Sequence, residues 1–114
     1  MMGDMDVHSA EAIADRLRCQ AERRSFVVTA HAHQEMAEES VSLESVTSVL
    51  LDATVIENYP DHRRGACCLV GGQSKAGRDL HVVCTTSLDP AIIITVYEPK
   101  QPKWKDPFTR GESG

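Results

Sequence analysis

Two β-branched runs separated by a short turn constrain this chain most: Asp79-Leu80-His81-Val82-Val83-Cys84 and Ala91-Ile92-Ile93-Ile94-Thr95-Val96-Tyr97. Val, Ile and Thr fit a pleated, half-buried surface, and Leu88-Asp89-Pro90 between the runs supplies turn residues. The pattern predicts two antiparallel neighbours near the centre of a sheet. Side chains alternate across a strand, so His81, Val83 and Thr85 share one face and Leu80, Val82 and Cys84 the other. With Ser87 opposite Ala91, His81 falls opposite Tyr97 and Val83 opposite Thr95, with Ile93, Thr95 and Tyr97 on one face. Ile92, Ile94, Val96, Leu80 and Val82 are then expected beneath Met36, Val46 and Leu50.

The first half of the chain changes period. Ala10, Ile13, Ala14, Leu17 and Ala21 form a helical stripe, with Ser9 placed to cap it, ending near Arg24. Ser25–Thr29 reads as a short strand. Thr29 and Ser42 can cap two further helices, the second over Ala30–Glu39 and the third buried through Leu43, Val46, Val49, Leu50 and Ala53. Thr54–Tyr59, halted by Pro60, and Ala66–Val70 are strands. The order helix, strand, helix, helix and four strands predicts an α+β fold, with helices on one face of a mostly antiparallel sheet. Residues 1–24 read as an N-terminal helical extension, 25–99 as a single α+β domain, and 100–114 as an extended C-terminal tail.

At 114 residues and 41% hydrophobic content the chain supports one ordinary globular core, built without many aromatics, which are 4%. No apolar run approaches a membrane span and the polar start resembles no secretory signal, so a cytoplasmic protein is expected. Cys19, Cys67, Cys68 and Cys84 lack metal-ligand spacing and read as buried reduced thiols, with no metal and no cofactor expected. A net charge of −5 argues against nonspecific nucleic-acid binding by the whole surface.

On the proposed register one sheet face carries His81, Thr95 and Tyr97, with Arg78 just outside. His31 opens the second helix, where free backbone N–H groups favour an anion. Two histidines with Arg and Tyr have the groups for metal-independent phosphodiester cleavage of RNA. One takes the ribose 2′-hydroxyl proton, another protonates the leaving oxygen, and Arg stabilises the phosphorane. His31, His81, Arg78 and Tyr97 are the catalytic candidates; Thr95, Arg63, Arg64 and Arg110 are the candidates for contacting substrate. The bland alternative makes the His81–Tyr97 pair a hydrogen-bonded lid on the sheet.

Taken in order, His31-Ala32 with Met36, Val41-Ser42, Tyr59-Pro60, Leu80-His81-Val82-Val83 and Thr95-Val96-Tyr97-Glu98-Pro99 resemble the bacterial domain-of-unknown-function family numbered 4258. Trp104, Phe108 and Arg110 resemble that family's ending, and the likeness spans roughly residues 26 to 110. The resemblance implies a RelE-like, RNA-cleaving toxin fold, with RNA and an antitoxin-like protein as partners. The chain departs from the pattern at Glu35 and at Glu39-Ser40, where the family tends to carry Arg. On the sequence, these carboxylates would repel an RNA backbone. A non-catalytic relative that binds a protein or a small ligand is therefore the alternative expectation.

Overall fold

The computed structural model describes residues 9–63, 65–100 and 103–111. In chain order the elements are α1 (Ala10–Glu22), β1 (Phe26–Val28), α2 (Ala30–Glu39), α3 (Leu43–Leu51), β2 (Thr54–Tyr59), β3 (Cys67–Gln73), β4 (Asp79–Thr85), β5 (Ala91–Tyr97), β6 (Trp104–Asp106) and β7 (Thr109–Arg110). The hydroxyls of Ser9, Thr29 and Ser42 accept from Ala12, Ala32 and Ser45 N–H, so each helix starts at the residue its sequence provides for. Ser40 ends α2 in the left-handed region at φ 56°, and the Val41 N–H returns to the Met36 carbonyl.

Five strands form one sheet in the order β1-β5-β4-β3-β2, antiparallel except for β1, which runs parallel to β5. The fold is α+β, as expected. Its core lies between the helices and one sheet face, where Ile13, Leu17, Val46, Val49 and Leu50 meet Val70, Leu80, Val82, Ile93 and Val96. The segment read as an N-terminal extension thus supplies part of this core. Arg16 and Gln20 of α1 also donate to the Thr86 and Leu88 carbonyls, holding the β4–β5 connection.

The β4–β5 register pairs His81 with Tyr97 and Val83 with Thr95, as the alternation predicts, but Cys84 then pairs with Ile93. Ile94 is the extra residue of a bulge, and everything before it slips by one position. The slip turns Ile93 into the core at 0% exposure and leaves Ile92 and Ile94 half-buried. Ile93 therefore does not share the face of Thr95 and Tyr97, and the expected burial of Ile92 and Ile94 is corrected. Leu80, Val82 and Val96 are buried as expected.

The C-terminal segment also differs from an extended tail. Residues 103–111 form the β6–β7 hairpin on the sheet face opposite the helices, where Trp104 is 2% exposed. Gly71 of β3 leaves room beneath it. A Cβ built there would lie 2.8 Å from Ile56 Cδ1, 3.4 Å from Phe108 Cε1 and 3.5 Å from His81 Cδ2. All four cysteines are free thiols, and three of them are buried.

Candidate functional site

Helix α2 runs along the edge of β5 beyond the end of β1. The Thr29 N–H bonds to the Ile93 carbonyl, Val96 N–H donates to Glu35 Oε1 at 2.9 Å, and Glu98 N–H donates to Glu39 Oε1 at 3.0 Å. Four helical residues rise about 6 Å and two strand residues about 6.6 Å, so Glu35 and Glu39 match successive outward N–H groups of β5. These carboxylates finish an open sheet edge. Sequence reasoning missed this role, because the register between a helix and a strand edge leaves no motif.

Arg78 closes the same seam. Its guanidinium donates to Glu98 Oε1 at 3.0 Å, to the Ser40 carbonyl at 3.1 Å and to the Glu39 carbonyl at 2.6 Å. It thereby caps the C-terminus of α2, where a cation is favoured. Its expected place beside a phosphate is not what this geometry provides.

His81 is fully buried. Its Nδ1 lies 3.0 Å from the Tyr97 hydroxyl and its Nε2 2.5 Å from the Pro107 carbonyl oxygen. A carbonyl only accepts, so Nε2 carries the proton and donates, and Nδ1 accepts from the Tyr97 O–H. Trp104 meets the ring edge-on, with centroids 4.5 Å apart. Burial pulls the His81 pKa below its ordinary value, against an opposing pull from the Pro107 carbonyl; burial also pushes the Tyr97 pKa up. Both groups are therefore neutral near pH 7. With the hairpin seated, His81 is closed off from the surface, and its contact on that side is the Tyr97 hydroxyl.

What remains accessible is a cleft between α2, the end of β5 and the root of the hairpin. It has a volume of about 310 Å³ and is lined by Glu35, Tyr97, Glu98, Lys100, Lys103 and Trp104. His31 stands beside it, exposed, with Nε2 3.4 Å from Glu35 Oε2. Lys103 Nζ sits 5.9 Å from the Tyr97 ring centroid, and Lys100 has no ion-pair partner among the described residues. Of the candidates read from the sequence, Tyr97 lines this cleft, His81 stands behind Tyr97, and His31 is linked to the cleft through its pairing with Glu35. Thr95 shares the Tyr97 face one row away, half-buried.

Arg63 is exposed in the β2–β3 loop, at the opposite end of the strands from Arg78. Arg64 lies outside the described residues. Arg110 is bound to Glu57 through two hydrogen bonds of 2.6 and 2.8 Å and rests over the Trp104 ring. That guanidinium holds the Glu57 carboxyl down at about 2. Lys100 and Lys103 belong to a basic cluster with Lys105 and Arg110 that the sequence shows, but they were not among the site candidates because the chain around them read as tail.

A larger cavity of about 430 Å³ lies between α1 and the loop 86–89. Its cations are already engaged, Arg16 with the Thr86 carbonyl and Arg23 with Asp89. Among the described residues no cluster of His, Cys, Asp or Glu is arranged to hold a metal ion, and no helix is long and apolar enough to cross a membrane.

No curated protein and no solved structure matches the chain. Residues 28–98 match the family described as a domain of unknown function, DUF4258. That span runs from the end of β1 through β5, covers well over half of the sequence, and leaves α1 and the hairpin outside. The chain belongs to the DUF4258 family.

Proposed function

We propose that this protein is a metal-independent, RNA-cleaving domain of RelE-like toxin type, acting in the cleft between α2, β5 and the hairpin root. The observation that carries the reading is convergence: a tyrosine backed by a buried histidine and two lysines line one cavity, and Glu35 on its wall pairs with the exposed His31. In this scheme His31, oriented by Glu35, takes the proton of a ribose 2′-hydroxyl. The 2′-oxygen attacks the adjacent phosphorus and Lys100 and Lys103 stabilise the charged phosphorane. Tyr97 turns its O–H from His81 Nδ1 to the departing 5′-oxygen, gives up that proton, and regains one through water from the His31 imidazolium. His81 is a positioning residue that fixes the Tyr97 hydroxyl. The products are a 2′,3′-cyclic phosphate and a free 5′-hydroxyl. Glu35 and Glu39 each spend one carboxylate oxygen on a backbone N–H along the β5 edge, and Lys100 and Lys103 oppose the carboxylates lining the cleft.

The enclosure of His81 favours a second reading, in which the cleft binds an anionic ligand without turnover. A labelled single-stranded oligonucleotide with one ribose among deoxyriboses separates the two. The enzymatic reading expects a cut only at the ribose; binding with no cut supports the second. Lys100→Ala and Lys103→Ala should each weaken binding and lower the salt slope by about one phosphate contact. Equal anisotropy curves for wild type and both variants would remove the cleft from either reading. Partners follow the same logic: RNA is the proposed substrate, and an antitoxin-like protein is the proposed regulator, in the cytoplasm.

A further inference from the structure

The hairpin 103–111 lies beyond the family match yet covers His81, which is fully buried. Its root and tip are held differently. At the root, Trp104 N–H bonds to the Lys100 carbonyl and Gly111 N–H to the Lys103 carbonyl. At the tip, the Pro107 carbonyl takes the His81 N–H, while the neighbouring Phe108 is 52% exposed. A side latch pairs Arg110, whose side chain is 48% exposed, with Glu57, which also accepts from the Tyr59 hydroxyl.

The Trp104 indole N–H is buried and faces the Tyr97 hydroxyl without completing a well-formed hydrogen bond, so the seated hairpin leaves this donor poorly satisfied.

We infer that the β6–β7 hairpin is an autoinhibitory strap, latched by Arg110–Glu57, whose release uncovers the His81–Tyr97 pair. Pivoting at the root leaves Lys103 beside the cleft while the tip lifts from His81 and Gly71. The open sheet face then extends the cleft from Tyr97 toward Thr95. An anionic polymer favours this state, because it replaces Glu57 as the partner of Arg110. The strap stands on the geometry alone; its action as a gate for RNA rests on the function proposed above.

The chain has a single tryptophan, so its fluorescence reads the strap in the intact protein. Arg110→Ala and Glu57→Gln should each raise acrylamide quenching of Trp104 several-fold, with the far-UV dichroism unchanged. Diethyl pyrocarbonate should then modify His81 in both variants but not in wild type, while His31 reacts in all three. Hydrogen exchange on the unaltered chain decides independently of any variant. The strap amides of Phe108 and Gly111 should exchange well before those of β3 and β4. Strap amides that exchange only with global unfolding, or a Trp104 equally protected in both latch variants, would overturn the strap. With the strap established, Glu57→Gln, which releases the latch and keeps Arg110, should bind the oligonucleotide more tightly than wild type. Unchanged or weaker binding rejects the gate and leaves the strap in place. Cleavage assays are not needed for any of these outcomes, so failure of the enzymatic reading is separately visible.

Discussion

Glu35 and Glu39 show how residue type alone misleads. Read along the sequence they are two anions where cations were expected; in the fold they are hydrogen-bond acceptors for Val96 and Glu98. Removing either acceptor strands a backbone donor, so Glu35→Ala and Glu39→Ala should each cost about 1–3 kcal/mol in urea unfolding. Gln keeps the carbonyl oxygen and should cost less than Ala. Equal losses for Ala and Gln would show that charge, and not acceptance, is what the edge needs. His81 makes a prediction of a different kind. Its pKa is lowered in the fold, chiefly by burial, so the unfolded chain takes up the proton first as pH falls. The contribution is full above the unfolded value near 6.5 and is lost as pH drops through the folded value. Thermal stability should therefore fall between pH 7 and 5, before Glu57 begins to titrate, and His81→Gln should flatten that slope. An unchanged slope would assign the acid sensitivity elsewhere.

At the scale of elements, β5 carries the lesson about legibility. Its partner, its direction and the His81–Tyr97 row were readable, because alternation and β-branching act locally. The bulge at Ile94 was not, since three consecutive isoleucines look alike whichever one is inserted. The two can be told apart by stability. Ile93→Ala should cost roughly 2–5 kcal/mol as a core truncation, and Ile94→Ala clearly less, measured by denaturant unfolding. The reverse order would place the bulge elsewhere. The hairpin was illegible for another reason. Its strands are three and two residues long, and what fixes them is tertiary: the space above Gly71, the carbonyl taken by His81, and the Arg110–Glu57 pair. Short polar strands carry no period from which to infer this.

In the whole molecule, α1 completes the core and holds the β4–β5 connection around the family-matched segment 28–98, while the hairpin covers the opposite face of the sheet. The net charge of −5 is spread so that the two lysines at the cleft meet carboxylates already engaged by β5 N–H groups and Arg78. A local anion site can therefore exist on an acidic protein, and affinity for RNA should be modest and salt-sensitive. The α+β class was readable from element order. Which polar residues converge was only partly so, because Arg63 and Arg78 lie at opposite ends of the strands while Lys100 and Lys103 come from the segment without a pattern.

The central claim is that His31 and Tyr97 work together on RNA in this cleft. The most direct test is the single-turnover cleavage rate of a labelled single-stranded oligonucleotide by wild type, His31→Ala and Tyr97→Phe, with the new ends identified by mass. The account predicts a 2′,3′-cyclic phosphate end and a loss of about 100-fold or more in His31→Ala, the scale of a positioned acid–base group. It predicts a smaller, separate loss in Tyr97→Phe. Wild-type cleavage that persists undiminished in His31→Ala, or no cleavage by wild type at all, would contradict it.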